Sequence, residues 1–167
     1  PEGYHRRCLE ICHQHDVLYI SDEVVTAFGR LGEFFASESV FGIVPDIITS
    51  AKGITSGYVP LGAVLISDRL IAELTADDRS EVLFSNGFTY SAHPVSCAAA
   101  LKNIEIMERE EIFAHVRDIT PHFQARLQEL RRHEIVGDAR GMGLLGCVEG
   151  AAPSDSNEAK RLAVDKE

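Results

Sequence analysis

The chain has 167 residues, 45% hydrophobic and 25% charged, enough apolar material for a sizeable core and too much for a disordered tail. Its 26 acidic against 16 basic side chains leave a formal charge of −10, which argues against a nucleic-acid binder or a polybasic membrane anchor. No run is long and apolar enough for a membrane span, no signal-peptide pattern opens the chain, and cysteines scattered at 8, 12, 97 and 147 predict reduced thiols in a cytoplasmic protein.

Residues 3–15 predict a helix whose half-buried face is Cys8, Leu9, Ile11, Cys12 and His15. The cysteines and histidines there lack the compact paired spacing of a zinc site, so no metal is expected. Val17-Leu18-Tyr19-Ile20-Ser21 predicts a strand buried on both faces, as in a parallel sheet. A loop rich in Gly and Phe runs from Thr26 to Gly42. Asp46–Ser50 and Leu61–Ile66 predict two more strands, with Lys52 and three glycines (53, 57 and 62) around their connection. Residues 68–75 read as a short helix and 76–93 as a loop, and Pro94 opens a long helix to Arg109. A second amphipathic helix is predicted over 112–132, kinked or broken at Pro121. Ile135-Val136 and Leu144–Val148 predict strands around an Arg140-Gly141-Met142-Gly143 turn. Strands alternating with helices argue an α/β fold for the first hundred residues or so, and the changed order after residue 110 argues a new layer or domain. No G-x-G-x-x-G follows the first strand, so a dinucleotide-binding domain is excluded.

Three places carry chemistry. Ser21-Asp22-Glu23-Val24 directly follows a strand, where open parallel sheets bind ligands. If the strand geometry persists, Asp22 and Val24 project to the same side. Taken alone, the Asp22-Glu23 pair reads as a solvated loop acid or a helix cap. Ser50-Ala51-Lys52-Gly53 also follows a strand, and a lysine in an apolar, Gly-rich surround loses hydration and becomes a better nucleophile. An acid and a lysine, each closing a strand and thirty positions apart, suit pyridoxal phosphate. That cofactor needs an amine for its aldehyde and a carboxylate to keep its ring nitrogen protonated. Finally, Asn86-Gly87-Phe88-Thr89-Tyr90-Ser91-Ala92-His93-Pro94 places hydroxyls and N–H groups before a helix, which suits either a phosphate or simple capping by Ser91.

Together these segments resemble the class III aminotransferases, pyridoxal-phosphate enzymes of fold type I. The resemblance rests on Tyr19-Ile20-Ser21-Asp22-Glu23-Val24, on Phe28-Gly29-Arg30-Leu31-Gly32, on Pro45-Asp46-Ile47-Ile48-Thr49-Ser50-Ala51-Lys52-Gly53 and on Phe88-Thr89-Tyr90-Ser91-Ala92-His93-Pro94. It implies a mainly parallel sheet flanked by helices over 1–110, the second half of a cofactor-binding domain. Residues 111–167 would then hold a connecting helix and the start of an α+β C-terminal domain. It implies further that Lys52 is the Schiff-base lysine and proton shuttle, that Asp22 partners the pyridinium nitrogen, and that Val24 packs on the ring. Thr89, with Phe88 close by, would bind the phosphate of a neighbouring subunit's cofactor, making the protein a homodimer with shared sites. Ala27 and Ala92 stand where the family usually has glycine.

The activity so implied is transamination, from an amine or ω-amino acid to an α-keto acid such as pyruvate. An aminomutase or a decarboxylating transaminase would reuse the same lysine and acid. The family's upstream phosphate loop, ring-stacking aromatic and downstream carboxylate-binding arginine have no counterpart here. The sequence therefore reads as a fragment, expected to be inactive alone or to serve only as a folding and association module.

Overall fold

A computed structural model describes residues 2–76 and 87–151. Helix α1 (Tyr4–Gln14) is stopped by Asp16, which takes the left-handed conformation (φ 55°), while the Val17 N–H turns back to the Cys12 carbonyl at 2.8 Å. The chain then enters β1 (Ile20–Asp22). The parallel partner of β1 is β2 (Ile47–Ser50), in the register Ile20↔Ile47, Ser21↔Ile48, Asp22↔Thr49, and β3 (Ala63–Ile66) lies antiparallel on the far side of β2. The class is α/β, with one parallel and one antiparallel pairing in a three-stranded sheet ordered β1-β2-β3.

Two-sided burial of the first strand is not what the structure shows. Val17 and Leu18 are exposed outside the strand, and Ile20 remains 56% exposed within it. At the edge of so small a sheet, β1 has a neighbour on one side only among the described residues, and these do not cover its apolar side chains. Between β1 and β2, within the expected loop, lies the four-residue helix α2 (Ala36–Ser39).

The core sits beyond the carboxyl ends of β1 and β2. Ala27, Phe28, Ile54, Ala100 and Met107 are buried together, with Phe34, Phe35 and Phe113 packed against them. The rings meet edge to face, Phe28 to Phe34 at 5.0 Å and Phe34 to Phe113 at 5.9 Å, the arrangement their quadrupoles favour. After α3 (Asp68–Thr75), two long helices close this core: α4 (Pro94–Arg109), with proline in its first turn as predicted, and α5 (Ile112–Glu129). Helix α5 runs unbroken through Pro121. Buried Val116 and Leu127 anchor it on either side of the proline, and tertiary packing outweighs the lost backbone bond.

A short 3-10 turn (Leu130–Arg132) leads into the hairpin β4 (Val136–Met142) and β5 (Leu145–Gly150). Its turn is shorter than expected. Arg140, Gly141 and Met142 belong to β4, and Met142 pairs directly with Leu145. The shift follows from docking. Gly143 takes φ 58°, and a Cβ there would lie 2.7 Å from Leu31 Cα and 2.8 Å from the Arg30 carbonyl oxygen. That close approach lets the Leu144 N–H reach the Arg30 carbonyl at 2.9 Å.

Candidate functional site

Parallel pairing puts the carboxyl ends of β1 and β2 side by side. Asp22 is the last residue of β1 and faces Thr49, three residues before Lys52. Lys52 opens a 3-10 turn (Lys52–Thr55) after an extended Ala51 (φ −162°) and itself adopts φ 44°. A lysine rarely takes that left-handed conformation, and Phe28 across the cleft takes one too (φ 57°). At Gly53 a Cβ would lie 2.8 Å from the Cβ of Phe28, so only glycine lets the lysine turn settle on the aromatic core.

These elements enclose a cleft of ≈ 240 Å³ whose lining includes Val24, Ala27, Phe28, Arg30, Lys52 and Val116. Lys52 is exposed, and its amine makes no hydrogen bond or ion pair among the described residues. The expectation of a dehydrated lysine is therefore not met in this chain, because the cleft is open to solvent at its mouth. Asp22 is exposed as well, and its one hydrogen bond among the described residues is local, Oδ1 accepting the Val24 N–H at 3.0 Å. The strand ends at Asp22, so the pleat that would carry Asp22 and Val24 to one side does not extend to Val24. Val24 lies instead in the turn closed by the Asp22 carboxylate and lines the cleft, whereas Asp22 stands outside that lining.

Phe88 and Thr89 lie elsewhere. Both are exposed in the turn before α4 and neither lines the cleft; Phe88 is 84% and Tyr90 79% exposed. Ser91 does not cap α4. Its hydroxyl accepts the Phe88 N–H at 3.0 Å, and the cap position is His93, without a side-chain bond. Ala92 holds φ 54°, which a glycine would adopt without strain. Phe84, which would belong to the same loop, is outside the described residues.

Two polar residues organise the site, Glu23, which the sequence offered as a helix cap without a partner, and Asn103, which no sequence pattern marked. Glu23 is 1% exposed. Its carboxylate accepts the N–H groups of Ala36 (2.7 Å) and Ser37 (2.8 Å) and the hydroxyls of Ser37 (2.5 Å) and Thr26 (3.1 Å). It thus satisfies the open N-terminus of α2 from thirteen residues away and fixes the chain just after Asp22. The helix-cap reading of the Asp22-Glu23 pair holds for Glu23, and the solvated one for Asp22. Asn103, on α4, donates from Nδ2 to the carbonyls of Gly53 (2.9 Å) and Ile54 (3.2 Å), tying the lysine turn to the helix.

At the opposite, amino end of β2, Asp46 is 5% exposed. It accepts the Tyr19 N–H (2.8 Å) and contacts His13 Nε2 (3.0 Å) and the Arg69 guanidinium (2.5 Å), joining α1, β1 and α3. Burial alone would raise its pKa, but the Tyr19 N–H, His13 and Arg69 outweigh that and hold it at about 2.

What this arrangement can hold follows from its chemistry. An amine without a partner among the described residues lines a largely apolar cleft, and a carboxylate, outside that lining, ends the neighbouring parallel strand, a set of groups that fits a ring bearing an aldehyde and a protonatable nitrogen. The comparisons point the same way. The family model described as "Aminotransferase class-III" matches residues 1–166. A probable aminotransferase of Mycobacterium tuberculosis is 48% identical over 149 residues, which are 89% of this chain and 31% of that protein. The putrescine–pyruvate aminotransferase of Pseudomonas aeruginosa is 43% identical over 150 residues, 89% of this chain and 32% of its own length. Among solved structures, an amine transaminase from an uncultivated Pseudomonas species, in its pyridoxal-phosphate-bound form, superposes with a TM-score of 0.86 at 38% identity. The match covers 96% of this chain and 35% of that one. The chain spans about a third of the length of these relatives.

Proposed function

The chain belongs to the class-III aminotransferases, and on that premise we propose that it carries the lysine and the ring-nitrogen acid of a pyridoxal-phosphate site for transamination. The observation that carries the reading is the placement of Asp22 and Lys52, both unpaired by other side chains among the described residues, at the same end of two adjacent parallel strands. The cofactor, when bound, supplies the electron sink that makes an amino group's carbon acidic. Lys52 would hold it covalently through its amine and would afterwards carry the proton at the reacting carbon. Asp22 would pair with the ring nitrogen and favour its protonated form, and Val24 would present an apolar wall to the ring. Glu23 keeps both oriented by anchoring the turn between β1 and α2. Residues 1–110 form the cofactor-binding part in this reading, and 111–167 begin the next domain.

The donor is a primary amine or ω-amino acid and the acceptor an α-keto acid such as pyruvate, a reading supported by the putrescine–pyruvate relative. Thr89, with Phe88, serves the phosphate of a second copy's cofactor, so the protein acts as a homodimer. The exposed Phe88 and Tyr90 support this, since aromatic rings are enriched at interface cores.

Borohydride reduction of the product of the complete reading frame, loaded with pyridoxal phosphate, tests the central assignment. Peptide mapping is expected to find the pyridoxyl group on Lys52, and an adduct on Lys102 would overturn it. Mixing Lys52→Ala with Thr89→Ala protein tests the shared site. Re-associated dimers should regain one intact site, and no regained activity would place Thr89 outside the cofactor's reach.

A further inference from the structure

We propose that Asn103 is a positioning residue for Lys52, holding the lysine's backbone in its left-handed conformation from across the core; the inference rests on Lys52 being the cofactor lysine. A lysine at φ 44° departs from its preferred backbone wells and relaxes unless its surroundings over-determine it. Two clamps do so here. One is Phe28, whose Cβ fills the space that a side chain at position 53 would need. The other is the amide of Asn103, fifty positions along the chain, whose Nδ2 spans the Gly53 and Ile54 carbonyls at 2.9 and 3.2 Å.

The amide's orientation is fixed by its partners. Two carbonyl oxygens need a donor, and on its other side Oδ1 accepts the Ser56 hydroxyl at 2.7 Å. The Gly53 and Ile54 carbonyls belong to the turn that Lys52 opens and Ser56 directly follows it, while Nδ2 also lies 3.9 Å from Met107 Sδ on its own helix; Asn103 does not line the cleft itself and reaches its lining only through the Gly53 carbonyl. With the turn so held, the amine reaches a ligand through side-chain torsions alone, and the backbone need not reorganise when the covalent bond forms. Asn103→Asp is nearly isosteric but sets a carboxylate oxygen against two carbonyls, so it should release the turn while leaving the packing of α4 unchanged.

The test uses the product of the complete reading frame, freed of cofactor, as wild type, Asn103→Asp, Asn103→Ala and the exposed α4 variant Glu108→Gln as control. Three quantities are read: the rate at which added pyridoxal phosphate develops the absorbance of its lysine-bound form, the labelling rate of Lys52 by trinitrobenzenesulfonate in cofactor-free protein, and the thermal midpoint. Asn103→Asp is expected to capture the cofactor about ten-fold more slowly, with an altered labelling rate, and Asn103→Ala to do so by a smaller factor. Glu108→Gln should match wild type in all three. If either Asn103 variant folds and captures the cofactor within about two-fold of wild type, with unchanged labelling and only a lower midpoint, Asn103 is merely structural and the inference is overturned. If neither variant folds, Asn103 is likewise a fold determinant and the positioning role is rejected. Wild-type protein that traps the cofactor on another lysine would instead sink the reading of Lys52, a result distinct from either.

Discussion

Each end of the β1–β2 pair holds an aspartate, and the two are set in opposite surroundings. Asp46, at the amino end, is nearly buried and takes a backbone N–H, a histidine and an arginine. Asp22, at the carboxyl end, is exposed, and among the described residues its side chain bonds only the N–H two residues on. A buried carboxylate with partners on both oxygens joins elements and leaves little room for a ligand. One whose second oxygen has no partner among the described residues, at the end of the strand beside the one that leads to Lys52, is available for chemistry. Glu23 shows how sharply the two environments can alternate. It follows Asp22 directly, yet is buried and fully bonded.

The largest effect should come from the open end. Lys52→Ala should abolish turnover, and Asp22→Asn should lower kcat on the order of 10²-fold or more, since one charge-assisted bond to a cofactor in a dry site is worth several kcal/mol. Thermal midpoints should hardly move. Near wild-type rates in Asp22→Asn would erase the distinction between the two ends.

Next comes Glu23→Gln, which turns an NH2 group toward donors that now face a carboxylate. A loss of about 2–3 kcal/mol in denaturant unfolding is expected; a change under about 0.5 kcal/mol would mean that α2 is held by packing and not by this cap.

Asp46 should matter for stability and not for turnover. Its folded pKa of about 2 lies below the unfolded value of 3.8, so folding favours the ionised form. The stabilisation is complete above roughly pH 5 and fades as pH falls through about 2. Because His13 and Arg69 are half exposed, screening leaves about 1–2 kcal/mol. Asp46→Asn should remove that acid-side slope between about pH 4 and 2 while leaving kcat unchanged. An unaltered slope would assign the acid sensitivity to other carboxylates.

The smallest effect separates strain that serves a site from strain that does not. Ala92 and Lys52 both hold positive φ. Ala92→Gly should raise stability by about 0.5 kcal/mol, relief of strain being partly offset by the freer unfolded chain. A destabilised Ala92→Gly would show that the methyl group itself packs against something the turn needs.

Local pattern alone was enough to read α1, α3 and α4, the last to its ends at Pro94 and Arg109, and the strand that carries Thr49 and Ser50. It also singled out Asp22 and Lys52, because a charged residue just after an apolar run stands out without knowledge of its neighbours. Tertiary structure decided the rest. Val24 faces the cleft through a hydrogen-bonded turn and not through the strand's pleat, Pro121 sits within an unbroken helix, and the hairpin turn shifts to fit against Arg30 and Leu31. The partners of Glu23, Asp46 and Asn103 could not be read from the sequence, even where a helix cap was expected of the Asp22-Glu23 pair, for a common reason. Periodicity reports which residues lie on one face of one element. The bonds of these three run to Ala36, to His13 and Arg69, and to Gly53, and only a folded chain brings such partners within reach of a group that burial obliges to be satisfied.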